Sequence, residues 1–386
     1  MAGLRILFNV FNLYGKGTYR RAFFLARELV KMGEKVDLLC SSYDRKKHIF
    51  ETDGVRIISM PNLFGGAIVH GYDPYNILIR CLWAINKKYD IVHSFESRPS
   101  VLFSSLLLRI KNAMWIVDWA DWFGKGGAVE ERENLLFGLL LRPFETFFEN
   151  RRKYASGITT ISTFLKEKSI SMGFSPTHVL YLPNGASPQM FQVSTSINIR
   201  ETLKIQKSSK VIGYVGAAFK QDVEFMLAAF RLVLNSFPNT ILLWIGNRSE
   251  IDVLESEHVI CTGYVPEEIL PAYFLACDIF WLPLRKSNAN NARLPLKLMD
   301  YLASGKPIVS TSVGDIPKII GEYQVGFLVK DDVAEFALAT NRLLSDENLL
   351  RELGKNALLL AEQRYTWQIL AKQLKEFYCL LLGDLT

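Results

Sequence analysis

The strongest constraint on this chain is an alternation of apolar runs with amphipathic segments. Leu4 to Val10 is an apolar run of the kind a strand buried on both faces requires. NLYGKG follows as a loop. The segment TYRRAFFLARELVKMG then places Phe23, Ala26, Leu29 and Val30 at helical spacing, with Gly33 set to end the helix. Val36 to Cys40 is a second strand. One βαβ unit is thereby specified, and its crossover should be right-handed over a parallel sheet.

The same pattern runs on. Strands are predicted at 89–95, 113–119 and 156–162, with a helix ending near Arg109 and a long one over 135–155. The polar, serine-rich stretch 192–210 reads as a linker region. A second series begins with a strand at 210–216, a helix at 223–237 and a strand at 240–247. Further strands follow at 277–284 and 307–311, and residues 334–386 read as helical, anchored by Trp367 and Tyr378. A chain of 386 residues exceeds one average domain. The expected fold is α/β: two tandem Rossmann-like, doubly wound domains facing across a cleft. Their expected bounds are 1–190, a linker at 191–209, and 210–365, with a C-terminal helix over 366–386 free to return to the N-terminal domain. Ligands in such sheets bind beyond the carboxyl ends of the strands.

Hydrophobic residues make up 49% and charged residues 22%, enough apolar mass for two cores. The net charge of +6 favours anionic ligands such as nucleotides or acidic lipids. No basic run is long enough to point to nucleic acid. Five scattered cysteines (Cys40, Cys81, Cys261, Cys277 and Cys379) lack metal-ligand spacing and suit buried thiols in a reducing compartment. The N-terminal run leads straight into a strand without a secretory pattern, and no apolar run reaches the roughly 18 residues of a membrane span. A cytoplasmic protein is expected.

The segment LPLKLMDYLASGKPIVST, residues 294–311, carries the most chemistry. Pro295 suits a helix's first turn, Gly305 its left-handed end, and Pro307 prevents continuation. Leu296, Met299, Leu302 and Ala303 should pack on a sheet, leaving Lys297, Asp300 and Ser304 on the other face. Such a face can be a solvated ion pair worth a few tenths of a kcal/mol. Lys297 in the first turn opposes the helix dipole, however, and Arg293 repeats the choice just before it. Two cations at a helix N-terminus suit a bound phosphate.

KLMDYLASGKPIVST, together with VGDIPKII, resembles the donor-site segment of the family-4 retaining glycosyltransferases, also called glycosyl transferases group 1, of GT-B fold. The resemblance extends over nearly the whole chain, through GKGTYRRAFFLARELVKMGEKVDLLCSS, YDIVHSF, ITTISTFLKEKSISMGF, VLYLPNGAS, VIGYVG, LLWIGN and TGYVPEEILPAYFLACDIFWLPL in order. It implies metal-independent transfer of a sugar, with retention, from a nucleotide-diphosphate donor to an acceptor hydroxyl. A UDP-sugar is favoured and a GDP-sugar is the other option; the acceptor is a glycan, a lipid-linked or a small molecule. No cofactor is implied, since the nucleotide-sugar is a substrate.

By the same resemblance Asp300 takes the place of the motif's second glutamate and accepts the ribose hydroxyls. The first glutamate falls at Ala292 and is absent; Asn290 and Asn291 beside it either bond the sugar or belong to a polar loop. Leu294 and Leu296 offer backbone amides to phosphate. The family's arginine after VIGYVG falls at Ala217, which leaves Lys220, Arg293 and Lys297 as the diphosphate cations. Gly216, Gly246, Tyr264 and Val265 frame the nucleotide. Gly15 and Gly17 form either a tight turn or a contact with ligand. In DWADWFGKGG, Asp118 and Asp121 stand near the place of a family histidine, where a carboxylate can take the acceptor's proton, bind its sugar or cap the loop. His93 reads as a packed core histidine. Residues 134–155, apolar with a basic end, are either a core helix or a surface that docks on an anionic membrane. The alternative to an active transferase is a degenerate sugar-nucleotide or glycan-binding subunit, or a GT-B sugar-nucleotide epimerase.

Overall fold

The computed structural model describes residues 3–64, 71–131, 135–192, 197–216, 220–246 and 257–383. The chain forms two compact units. The first comprises residues Met1–Asn184 and Trp367–Thr386, and the second Gly185–Thr366.

In the first unit the elements are β1 (Arg5–Leu13), α1 (Thr18–Lys31), β2 (Lys35–Ser41), β3 (His48–Thr52), β4 (Val55–Met60), α2 (Pro74–Ile85), β5 (Ile91–Phe95) and α3 (Pro99–Ile110). They continue with β6 (Met114–Trp119), α4 (Leu135–Glu149), β7 (Gly157–Thr160), α5 (Thr163–Ser171) and β8 (Val179–Tyr181). The sheet order is β3-β4-β2-β1-β5-β6-β7-β8, parallel throughout except for β3 against β4. β5 and β6 are buried at every residue, and their polar members His93, Ser94 and Asp118 are each hydrogen-bonded to another side chain. Each fully buried Leu, Ile or Phe of this kind contributes ~1.5–3 kcal/mol.

Edge strand β3 has no counterpart among the predicted strands, because its five residues are all exposed and carry no apolar run. Its signal lies in the turn. Asp53 and Gly54 have φ of 51° and 76°, the left-handed pair of a type I′ hairpin. The helix predicted over 135–155 is α4, which stops at Glu149; residues 150–154 tighten into a 3-10 turn.

The second unit holds α6 (Gln189–Gln192), α7 (Ile199–Thr202), β9 (Val211–Val215), α8 (Lys220–Ser236), β10 (Ile241–Ile245), β11 (Val259–Cys261), α9 (Leu270–Ala276) and β12 (Ile279–Leu282). After these come α10 (Asn288–Ala292), α11 (Leu296–Ala303), β13 (Ile308–Thr311), α12 (Ile316–Glu322), β14 (Gly326–Val329), α13 (Val333–Ser345) and α14 (Glu347–Arg364). Its sheet, β11-β10-β9-β12-β13-β14, is wholly parallel. Trp244, Trp281, Phe225 and Phe336 centre the core on one face, and Trp281 Nε1 donates to Thr340 Oγ1 at 3.0 Å, which satisfies its only polar atom.

The last helix, α15 (Trp367–Gly383), belongs to the first unit. Trp367 stacks on Phe24 at 5.3 Å, and Lys375 pairs with Glu34 at 2.6 Å. Residues 334–383 are therefore three helices, broken at Asp346, which caps α14, and at Tyr365–Thr366. Of the cysteines expected to be buried, Cys40 and Cys277 are, whereas Cys261 and Cys379 are exposed because they end a short strand and lie on an outer helix face.

In each sheet the strand order reverses beside its first strand. The switch falls between β1 and β5 in the first unit and between β9 and β12 in the second. Chains leaving adjacent strands there turn to opposite faces and open a crevice at the carboxyl ends.

Candidate functional site

In the second unit the structure brings together Gly216, Gly246, Arg293 and Lys297 of the predicted donor residues. Gly216 ends β9 with φ of 81°, and Gly246 ends β10 with φ of 132°. A Cβ on Gly246 would stand 3.1 Å from the Gly216 Cα, so the two turns touch through backbone alone. Gly216 N donates to Ile245 O at 2.8 Å, and Trp244 Nε1 donates to Gly216 O at 3.0 Å, which fixes the floor. Gly246 N donates to Thr262 Oγ1 at 3.1 Å and pairs with Gly263. Beyond it Tyr264 is 72% exposed and Val265 is half-buried.

Helix α11 delivers the cation. Pro295 is its N-cap rather than a first-turn residue, and Lys297 is the second helical position. The buried face is Leu298, Met299, Tyr301, Leu302 and Ala303; Leu296, expected to pack inward, is half-buried because the helix begins one residue later. Tyr301 stacks on Phe280 at 4.2 Å and accepts a hydrogen bond from Val215 N at 3.0 Å, clamping α11 to the end of β9. Tyr301 was not picked out from sequence, although its place one turn after Lys297 on the buried face is the available signal.

Lys297 does not lie on a solvated face. Its ammonium donates to Tyr214 Oη at 2.8 Å, sits 4.0 Å from the ring centroid, and comes within 4.0 Å of where a Gly216 Cβ would be. Burial, and secondarily Arg293, push its pKa down to about 7, against the attraction of Asp222. Asp222 is itself buried, and burial raises its carboxyl against the pull of Arg293, Lys297 and Arg285. The cluster of Tyr214, Asp222, Arg293 and Lys297 thus holds positive charge in a poorly solvated place beside a glycine turn. Arg293 caps the end of α10. Lys220 is exposed at the first residue of α8. Ala217 lies outside the described residues. Asp300 is half-buried on α11, and Leu294 is buried.

The NANNA stretch is a short helix, α10, capped by Ser287 Oγ accepting from Asn290 N at 3.1 Å, and not a loose loop. Asn290 is buried and donates to Arg285 O at 2.6 Å; Asn291 Oδ1 accepts from Gly314 N at 3.1 Å. Both side chains hold the 285–314 turns together. Ala292 is fully buried, so its methyl fills the place assigned to a glutamate.

In the first unit Gly15 and Gly17 are exposed after β1, with φ of 72° and 56°. Gly17 is the N-cap of α1, and a Cβ there would meet the Asn12 side chain at 2.6 Å. Asn12 Oδ1 in turn accepts from Thr18 N at 3.2 Å.

The two aspartates part company. Asp118 is fully buried within β6, paired with Arg21 at 2.8 Å and accepting from Thr159 Oγ1 at 2.6 Å. Arg21 also donates to the Pro183 and Leu182 carbonyls, both at 2.7 Å. Enclosed in this network, Asp118 is committed to holding α1 and β8 on the sheet, and its carboxylate has no access to an acceptor. His93 joins the same network: Thr159 Oγ1 donates to Asp118, so His93 Nε2, 3.2 Å away, donates to Thr159, and Nδ1 accepts from Tyr378 Oη at 2.6 Å. Burial lowers its pKa to about 4.

Asp121 is half-buried in the loop beyond β6. Its amide and that of Ala120 donate to Glu96 Oε1 at 3.0 and 2.8 Å. Glu96 escaped sequence analysis. It is buried at the switch point with φ of 72°, paired with Arg152 at 3.0 Å, and burial pushes its carboxyl up to about 8 against Arg152. A strained, buried acid immediately after a strand aims the Asp121 loop. Among the described residues no group of three or more His, Cys, Asp or Glu is placed to hold a metal ion.

Comparison with known proteins assigns this architecture. Residues 209–346 match the family model for glycosyl transferases group 1, and residues 16–185 match that for the glycosyl transferase 4-like domain. Among curated relatives, the putative teichuronic acid biosynthesis glycosyltransferase TuaH of Bacillus subtilis is 23% identical over 308 residues, 77% of this chain and 71% of that protein. Among solved structures, a sucrose-phosphate synthase of Thermosynechococcus elongatus superposes with a TM-score of 0.77 at 17% identity, covering 98% of this chain and 100% of that one. Anabaena HepE in complex with UDP-glucose gives 0.72 at 15% identity, covering 97% and 99%. The two parallel-sheet units are those of the GT-B fold. The chain belongs to the group 1 glycosyltransferases.

Proposed function

We propose that this protein transfers a sugar from a nucleotide-diphosphate sugar, with a UDP-sugar favoured over a GDP-sugar, to a hydroxyl of a glycan or lipid-linked acceptor, with retention and without a metal ion. The observation that carries this reading is Lys297 lying against the Gly216 turn, which touches that of Gly246, with the charge of Arg293 acting on Lys297. There backbone can approach a diphosphate closely and cations can neutralise it, and a related fold has been solved with UDP-glucose. As the bond from the sugar's C1 to the phosphate oxygen breaks, negative charge grows on the diphosphate, and Lys220, Arg293 and Lys297 stabilise it. The acceptor oxygen bonds to C1 on the same face, and its proton passes to the departing phosphate oxygen. Asp300 accepts from the ribose hydroxyls, Tyr264 and Val265 border the base, and Asp121 orients the acceptor hydroxyl. A cytoplasmic site of action follows from the nucleotide-sugar donor.

The anomeric configuration of the product, read by proton NMR against that of the donor, tests retention; an inverted product refutes it. Full activity after EDTA treatment supports metal independence, and its loss with recovery on adding a divalent cation refutes that part. One observation favours a second reading, a sugar-nucleotide-binding subunit without turnover: the buried methyl of Ala292 where the family places a glutamate. Tight UDP binding with no transfer to any acceptor would favour that reading.

A further inference from the structure

Helix α4 is built inside out. Its glutamates point inward: Glu145 is buried against Arg98 at 3.0 Å, and Glu149 is buried, accepting from Phe123 N and Gly124 N at 3.2 and 3.0 Å. Its outward face carries Leu139 (69% exposed), Leu140 (70%), Phe144 and Phe147. Water does not reward that arrangement, and an apolar phase does. The neighbouring helices repeat it. Phe148 of α4 meets Phe103 of α3 at 6.1 Å. Between α3 and α2 runs a groove of about 430 Å³, lined by Leu78, Cys81, Phe103, Leu107 and Ile110. On α2, Leu78, Leu82 and Ile85 form an exposed stripe, and Ile110 of α3 is 79% exposed.

The charge along α2 and α3 is basic, and beside α4 the exposed Glu130 is paired with Arg142 at 3.2 Å. α2 and α3 contain no acidic residue. Their C-terminal ends are joined by Lys111, whose ammonium donates to Ile85 O and Lys87 O at 2.5 and 2.6 Å, with Lys88 and Arg109 exposed beside it. Arg109 reaches Tyr154 O at 2.5 Å; Lys153 is exposed, and Arg151 lies 4.0 Å over the Phe147 ring. An apolar face rimmed by cations matches the two layers of an anionic bilayer surface, acyl chains below phosphate headgroups. A second copy fits it less well, because pairing this face with itself brings cation against cation. Among the described residues no helix is long and apolar enough to cross a membrane.

We propose that the face formed by α2, α3 and α4 docks this protein on an anionic membrane surface. The proposal stands independently of the donor reading, since it uses none of the residues placed at the donor site. The test is flotation with phosphatidylcholine vesicles and with vesicles containing phosphatidylglycerol, at low and high salt, for the wild type, Leu82→Glu/Ile110→Glu and Lys88→Glu/Lys153→Glu. The wild type should float with phosphatidylglycerol vesicles and remain below with phosphatidylcholine alone. Leu82→Glu/Ile110→Glu should lower the floated fraction about tenfold or more. Lys88→Glu/Lys153→Glu should weaken flotation, and high salt should weaken that of the wild type. All four side chains replaced are exposed, and unchanged thermal unfolding confirms that each variant folds. Failure of the wild type to float, or equal flotation of folded Leu82→Glu/Ile110→Glu, overturns the proposal. A concentration-dependent wild-type dimer that becomes monomeric in Leu82→Glu/Ile110→Glu overturns it in favour of a second copy.

Discussion

Lys297 gives the donor reading a pH signature. With its ammonium enclosed against Tyr214 and Arg293, the free protein holds Lys297 near a pKa of about 7, so it is half-charged at neutral pH. A bound diphosphate supplies the counter-charge that burial denies and draws the pKa back toward the ordinary lysine range. Binding above about pH 7 must then take up a proton, and the Kd for UDP should rise by up to tenfold per pH unit between about pH 7 and about pH 9. Below about pH 6 the dependence on Lys297 should vanish, since the ammonium is already formed. Isothermal titration of UDP in two buffers of different ionisation enthalpy measures affinity and proton uptake together. Lys297→Met should bind UDP more weakly at about pH 6 and lose both the slope and the uptake. A wild-type affinity independent of pH, or a Met variant that keeps the wild-type slope, refutes the reasoning. The same shift has a stability sign. Because the unfolded chain binds this proton more tightly, the wild type should gain stability from about pH 7 upward toward the ordinary lysine pKa, and Lys297→Met should not.

Other outcomes follow from the same geometry. Asp118→Asn breaks a buried ion pair with Arg21 and should cost about 3–5 kcal/mol of unfolding free energy, read by thermal or denaturant melts. Asp121→Asn should leave the melt unchanged and lower turnover; the reverse pattern would exchange their roles. Tyr301→Phe leaves the Val215 amide without its acceptor and should cost about 1–3 kcal/mol, with the Phe280 stack retained. Lys220→Ala and Arg293→Ala should each lower turnover by about an order of magnitude or more with little loss of stability, and near-wild-type rates in both would remove them from the diphosphate site.

Much of the fold was legible because strands buried on both faces are mainly apolar, as Ile6–Phe8 in β1 and Met114–Val117 in β6 are, even where Asn9, His93 or Asp118 interrupts the pattern. Strand β3 carries none, and only Asp53-Gly54 announces its hairpin. The Lys297 cluster was partly legible. Arg293 and Lys297 were read from helix positions and Gly216 from the resemblance, but the partners that set their chemistry, Tyr214 and Asp222, lie more than seventy residues before Lys297 and meet it only through the sheet. Asp118 and Asp121 look alike in sequence, and burial alone separates a structural anchor from a loop carboxylate. Glu96 and Arg152 were missed because their pairing spans 56 positions. Helix α4 has the periodicity of a core helix, and what reverses it is the position of Arg98 and Arg152, which draw its glutamates inward.

Nucleotide-sugar transfer through the Lys297 cluster is measured by nucleotide release. The purified protein is incubated with UDP- and GDP-sugars, with and without glycan and lipid-linked acceptors, and free nucleoside diphosphate is measured. Acceptor-dependent release from at least one donor is expected of the wild type, falling about tenfold or more in Lys297→Met. Folded wild-type protein that releases no nucleotide from any donor with any acceptor, or a Lys297→Met variant as active as the wild type, would contradict it.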